Sequence, residues 1–378
     1  MKFYVQKSDL LTVMQKVIKI VPARPTLQVL SNICISVKGS VLAMRAADLD
    51  LSMSARTEVK SSGQDRDFII NAKKLFDICK ELPEKEILFN AEKSGFVQIS
   101  TGVDEFKLPI QTADEYPEIP SFEERASFSL NAKLLDDMAS RVRFAVSRDT
   151  TRVALKGVLM ELEQGSLKMV ATDGHKLGFC KETGLPVTTK KKISIIVPPK
   201  ALDQLPNIMD PAGGDVSVKL GETYIEFTVN TTVLTSKLIE GEYPNYEQVI
   251  PQTNTKKAVI KRDELFSSLR RISVISNSRT RQIRFAFEKN SLTVSTSDRD
   301  FNGEGKSSLP IIYDTDPIAI GFNVDFFIEI LRLIDDEDIV INMNTPLSAV
   351  LVLPADKKKS EKMLFLIMPL RLLDEGNE

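Results

Sequence analysis

One pattern recurs three times along this chain at the spacing of whole domains. Phe3–Val21 reads FYVQKSDLLTVMQKVIKIV, Phe128–Val146 reads FSLNAKLLDDMASRVRFAV, and Val259–Ser276 reads VIKRDELFSSLRRISVIS. Each opens as an alternating apolar strand, turns through a polar residue and runs into a helix with one apolar face. Asp48, Asp173 and Asp298 stand 125 residues apart, and the pairs Tyr116-Pro117 and Tyr243-Pro244 stand 127 apart. A period this long exceeds that of a solenoid, so each copy must carry its own core. At 378 residues the chain has room for three such cores. The copies are 1–122, 127–252 and 256–378, joined at Pro120–Ala126 and Pro251–Lys256 by segments too short to be flexible linkers.

Within each copy the pattern predicts two amphipathic helices and a majority of strand. The first helices place Leu10, Leu11, Met14, Val17, Ile18 and Val21; Leu134, Leu135, Met138, Val142 and Val146; and Leu265, Phe266, Leu269 and Ile272 at helical spacing, with Ser8 and Asn131 as N-caps of the first two. Second helices are expected in FIINAKKLFDICKELPE, ISIIVPPKALDQLPNIMD and IAIGFNVDFFIEILRLIDDED, starting at Asn71, Pro198 and Asn323. Paired alternating strands fill the rest. The class is therefore α+β, with antiparallel sheet and helices on one face.

Composition excludes several functions. The net charge is −2, so no basic balance advertises nucleic acid. Cys34, Cys79 and Cys180 are odd in number and widely spaced, which reads as reduced, buried thiols in a cytoplasmic protein. MKFYVQKSDLL has no apolar core of a signal peptide, and no run reaches membrane-spanning length. His175 is the single histidine, so no metal cluster and no metal cofactor is expected. A hydrolase built on Asp173 and His175 is the enzymatic alternative, but no G-x-S-x-G elbow accompanies it. Gly303–Ser308, GEGKSS, is a poor P-loop with Asp300 where a glycine belongs, and is expected to be a hairpin turn. The acidic run Asp335–Asp338 and the lysine runs Lys190–Lys192 and Lys357–Lys359 read as solvated loops. The helices carry a mild basic bias, suited to a sequence-blind phosphate backbone.

The triple repeat together with RPTLQVLSNI (Arg24–Ile33), ATDGHKL (Ala171–Leu177), GEYPNYEQVIP (Gly241–Pro251), GFNVDF (Gly321–Phe326) and MPLRL (Met368–Leu372) resembles the bacterial sliding clamps, the beta subunits of DNA polymerase III. The resemblance spans essentially the whole chain. It implies three tandem clamp domains, helices inside and sheets outside, and a head-to-tail homodimer closing as a six-domain ring around duplex DNA. It implies a non-catalytic processivity factor without cofactors. Its expected partners are double-stranded DNA, the replicative polymerase, the clamp loader, and other polymerases and repair proteins that carry short clamp-binding peptides.

Residue by residue, the resemblance assigns Arg24, Lys73, Arg148 and Lys200 to DNA. It assigns Leu155, Thr172, Gly174, His175, Lys176, Leu177, Pro244, Val249, Leu366, Met368, Pro369, Leu370 and Arg371 to a peptide pocket. Phe106 and Leu108, with Val274 and Ile275, fall at the dimer interface. Lys176, Gln248 and Leu370 depart from the residues usual in the family. Period-two geometry puts Met368 and Leu370 on one strand face, and His175 and Leu177 on another if ATDGHKL is extended. The acidic tail after Leu372 is expected to shade the pocket.

Overall fold

The computed structural model describes residues 1–62, 64–92, 94–186, 191–298 and 302–372. The acidic tail, Lys190 and Asp300 lie outside the described residues. The described chain divides into two compact units, Met1–Asp136 with Lys200–Leu238, and Asp137–Pro199 with Ile239 onward. The central copy is thus shared between them.

Among the described residues all strand pairing is antiparallel. The first unit holds one sheet whose spatial order is Ala126–Asn131, Asp215–Leu220, Tyr224–Val229, Thr232–Lys237, Leu51–Glu58, Val41–Ala47, Asn32–Lys38, Arg66–Asn71, Glu105–Thr112, Phe96–Ser100, Glu86–Ala91, Lys2–Gln6 and Lys60–Ser62. The second unit holds Ile193–Val197, Val158–Glu163, Ser166–Thr172, Lys176–Thr183, Met363–Ile367, Val350–Pro354, Asp338–Met343 and Lys256–Lys261 in one sheet. A smaller sheet orders Gly303–Pro310, Ser291–Asp298, Gln282–Glu288 and Ile318–Asn323.

Two joints between copies are therefore strand pairs inside a continuous sheet. Thr232–Lys237 of the central copy pairs with Leu51–Glu58 of the first, from Thr232 opposite Ala55 to Ser236 opposite Leu51. Met363–Ile367 of the third copy pairs with Lys176–Thr183 of the central one, from Lys176 opposite Ile367 to Cys180 opposite Met363. The remaining two strands of these kinds have open edges. Gly303–Pro310 has one strand partner, Ser291–Asp298. Glu105–Thr112 pairs with Phe96–Ser100 over Glu105–Pro109 and with Arg66–Asn71 only over Ile110–Thr112, so Glu105–Pro109 is free on one side.

The helices are α1 (Lys7–Val17), α2 (Ala72–Glu81), α3 (Ala132–Arg143), α4 (Pro199–Leu202), α5 (Leu205–Ile208), α6 (Arg262–Ser273), α7 (Val324–Leu331) and α8 (Lys357–Ser360). Their apolar stripes are buried, as in Leu10, Val13, Met14 and Val17 of α1 and Leu265, Leu269 and Ile272 of α6. Asn71, Asn131 and Asn323 cap α2, α3 and α7 by accepting the amides of Lys74, Leu134 and Asp325. Ser8 does not cap α1, because Gln6 holds that position and Ser8 already lies in the first turn, its hydroxyl on Asp9. The expected helix from Pro198 is broken into α4 and α5. Pro206 has no N–H to continue the ladder and sits instead in the first turn of α5.

Further expectations give way to pairing. GEGKSS is strand, not turn, since Gly303 to Ser308 run in register with Asp298 to Thr293. The acidic run is exposed at Asp335 and Glu337, as expected of a solvated turn, but carries ion pairs. The Asp336 side chain is 8% exposed and accepts from Lys359, while Lys261 reaches Glu337 and Asp338. Lys357–Lys359 form α8, whose first turn is capped by Asp356.

The repeated Tyr-Pro pairs have a physical role. The Tyr116 hydroxyl accepts from the Ala47 amide at 3.1 Å and donates to the Asn32 carbonyl at 3.0 Å. Tyr243 accepts from the Thr172 amide at 3.0 Å, at the equivalent strand end of the next copy. Burial pushes the Tyr116 phenol up to about 12, against a smaller opposing effect of the Ala47 amide. Replacing Tyr116 by Phe strands two buried backbone groups and is expected to cost about 1–3 kcal/mol in urea denaturation. The native phenol ionises later folded than unfolded, so its contribution is intact below pH 10 and is lost as pH rises toward about 12. The gap between native and Tyr116→Phe stabilities should therefore close across that window; a constant gap contradicts the assignment.

Candidate functional site

ATDGHKL is not extended. Ser166–Thr172 and Lys176–Thr183 form a hairpin, and Asp173–His175 is its turn. Asp173 Oδ1 accepts the amides of His175 at 2.8 Å and Lys176 at 2.9 Å, and Gly174 takes φ +90°, which a side chain resists. His175 and Leu177 consequently part company: His175 is exposed and Leu177 is 1% exposed. Asp173 is occupied in folding the turn, and the hydrolase reading has no general base in a cleft. Among the described residues no group of three or more His, Cys, Asp or Glu is placed to hold a metal.

Met368 and Leu370 lie beyond the strand, which ends at Ile367. Their backbones are still anchored at alternate positions: Met368 N–H donates to the His175 carbonyl and Leu370 N–H to the Gly321 carbonyl, each at 2.8 Å. The Gln282 side-chain amide holds the Arg371 carbonyl at 3.0 Å. The chain end is thus tied first to the hairpin and then to the strand Ile318–Asn323.

The candidate pocket residues sort into floor and surface. Leu177, Leu366 and Leu155 are buried, the first two in a core cluster with Leu159, Val170, Ile196, Tyr246 and Leu351. Met368 is 36% exposed, and Val249, Pro244 and His175 are exposed. Two apolar residues escaped sequence reasoning. Val153, in the turn of helix that carries Leu155, is exposed. So is Leu347, in the loop that precedes Val350, the partner of Ile367. Neither falls in a repeated motif, so only the fold reveals them.

Lys176 is the unexpected member. It is 7% exposed; its ammonium pairs with Glu329 of α7 at 2.6 Å and lies over the rings of Phe144 (5.2 Å) and Phe326 (4.6 Å). Next to it the strand lies flush on α3: a Cβ at Gly178 would come within 2.7 Å of the Arg141 carbonyl. Beside the pocket, and sharing Pro244 with it, is a cavity of about 500 Å³ walled by Leu159, Glu161, Lys192, Ser194, Ile196 and Gly241–Glu247. Within it Glu161 pairs with Lys192 at 2.5 Å and accepts from the Tyr246 hydroxyl at 3.1 Å.

The four candidate cations are surface residues. Lys73 stands in the first turn of α2, and Arg148 follows α3. Lys200, in α4, is committed to Asp48. Burial works to raise the Asp48 carboxyl, but the bonds from Lys200 and the Leu49 amide hold it below its ordinary value. Phe106 is exposed on the open edge Glu105–Pro109. Val274 is 82% exposed at the end of α6, and Ile275 packs toward Gly305 of the other open strand.

Family models for the N-terminal, central and C-terminal domains of the DNA polymerase III beta subunit match residues 1–120, 129–245 and 247–371. The chain belongs to the DNA polymerase III beta subunit family. It is 29% identical to the beta sliding clamp of Pseudomonas aeruginosa and 28% identical to that of Escherichia coli K12, over 98% of this chain and 100% of each relative. A crystal structure of the Pseudomonas aeruginosa DNA polymerase sliding clamp with ligand superposes with a TM-score of 0.93, covering 98% of this chain and 100% of that one. The three repeats are three tandem clamp domains.

The Lys176 environment is testable without any ligand. Lys176→Ala removes an ammonium held by two rings and a half-exposed carboxylate, and is expected to cost about 1–3 kcal/mol in urea denaturation. Lys176→Met keeps the apolar stem and should recover part of it. Native-like stability of the alanine variant would show that the ammonium contributes nothing.

Proposed function

We propose that the chain is a sliding clamp, a tether rather than a catalyst. Two copies close head to tail into a ring around duplex DNA. The surface built on Met368, Val249, Pro244 and His175 receives short peptides of the replicative polymerase, the clamp loader, and other polymerases and repair proteins. The single observation that carries this reading is the open edge left on each of two strands, Gly303–Pro310 and Glu105–Thr112, whose counterparts in the other copies form the internal joints. Two joints of identical design are complete within the chain, and a third needs Gly303–Pro310 of one copy against Glu105–Pro109 of another. A heterologous contact that closes after two copies gives a ring. Family membership supports the same assembly. Three buried free thiols and no helix long and apolar enough to cross a membrane, among the described residues, fit work in the cytoplasm.

The ring reading assigns DNA contact to phosphates through Arg24, Lys73 and Arg148, with a smaller share for Lys200 because Asp48 already holds it. Loaded protein should stay on closed circular duplex and leave when the circle is cut. Neutralising Arg24, Lys73 and Arg148 should weaken binding alike for all sequences and lower the salt slope by about one counterion each. Equal retention on linear and circular DNA, or a base-sequence preference, contradicts this.

The pocket is tested on exposed Met368 and half-buried Leu370. Met368→Ala with Leu370→Ala is expected to lose on the order of 1–3 kcal/mol of peptide affinity, about ten- to a hundredfold, with the native mass retained. A pentapeptide rich in Gln, Leu and Phe, titrated by fluorescence anisotropy, is the probe. Unchanged affinity would show that the pocket is misplaced; loss of assembly would show that these residues are core.

A further inference from the structure

The end of α6 carries an arrangement that the ring reading does not itself require. Arg281 has φ +52°, a conformation unusual for an arginine. Its guanidinium makes two parallel bonds to Asp325, Nε to Oδ2 and Nη2 to Oδ1, each 2.9 Å. The remaining arm, Nη1, donates to the Ser273 carbonyl at 2.9 Å and to the Ser276 hydroxyl at 2.7 Å. Ser276 also donates to the Ser273 carbonyl at 2.8 Å. Ser273 is the last residue of α6, and the two residues between these anchors are Val274 and Ile275. The guanidinium therefore grips the chain immediately before and immediately after that pair.

The other end of the clasp is equally fixed. Asp325 sits in the first turn of α7, capped by Asn323, and the Arg281 carbonyl accepts the Val324 amide at 2.9 Å. The turn leading to Arg281 is folded on Asn277, whose Oδ1 accepts the amides of Arg279 and Thr280. A helix end that presents an 82% exposed valine to solvent would ordinarily fray, since its last carbonyls lack partners. Here the Ser273 carbonyl has two donors.

We propose that Arg281, through Asp325, is a positioning residue for self-association: it fixes the end of α6 so that Val274 and Ile275 are presented in one geometry to a second copy of the chain. This rests on the reading of Val274 and Ile275 as interface. Without the clasp the pair must be ordered at the moment of contact, which weakens association.

Asparagine is at ease at positive φ, so Arg281→Asn removes the guanidinium while keeping the backbone. Asp325→Asn removes the charge from the other side. Both variants, with Val274→Ala as reference, are measured by sedimentation equilibrium for the self-association constant and by thermal melting for stability. Arg281→Asn and Asp325→Asn are each expected to weaken self-association about tenfold. If Val274→Ala weakens association and both clasp variants associate as the native chain does, whatever their melting temperatures, the clasp is merely structural and the inference is overturned alone. If Val274→Ala leaves association unchanged, the interface reading fails and the inference falls with it.

Discussion

Backbone hydrogen bonding between strand edges is the interaction on which everything else depends. A strand edge has N–H and C=O groups that must find partners, and an unpaired edge invites another chain. This molecule uses the invitation as its joint. At Thr232–Lys237 against Leu51–Glu58, and at Met363–Ile367 against Lys176–Thr183, separate copies of the repeat are welded into continuous sheets. A side-chain interface can drift over evolution while keeping its area; a ladder of main-chain bonds fixes direction and register.

The joint also explains where the candidate pocket lies. The hairpin turn of ATDGHKL and the segment after Ile367 meet because their strands are partners, so His175 and Met368 are brought together by the ladder itself. Apolar residues facing inward there become core, as Leu177 and Leu366 do, and those beyond the ladder's end stay accessible, as Met368 does. Between His175 and Leu177 in sequence, Lys176 is buried, its ammonium paired with Glu329 and lying over two rings.

Much of this was legible in the residues. The repeat, the class, the first helices and the capping asparagines follow from period and residue type, because they depend on neighbours a few positions apart. What escaped depends on distant partners. GEGKSS looks like a turn by its glycines, yet a long register with Ser291–Asp298 makes it strand. Asp336 looks solvated until Lys359 reaches it, and Ser8 looks like a cap although the helix already begins at Lys7, with Gln6 at its N-cap. Pro206 could have warned of the break between α4 and α5. The site residues came from a resemblance, and the residues alone could not separate the buried Leu177 from the exposed His175, because that depends on the turn that Asp173 folds.

The central claim is that the two open edges are halves of one joint, and amide hydrogen exchange reads it directly. Peptides covering Glu105–Pro109 and Gly303–Ser307 should be protected together at micromolar protein and should lose protection together on dilution, as the mass falls from twice 42.2 kDa to a single chain. Fast exchange of both edges at every concentration, with the mass of one chain throughout, would contradict the account.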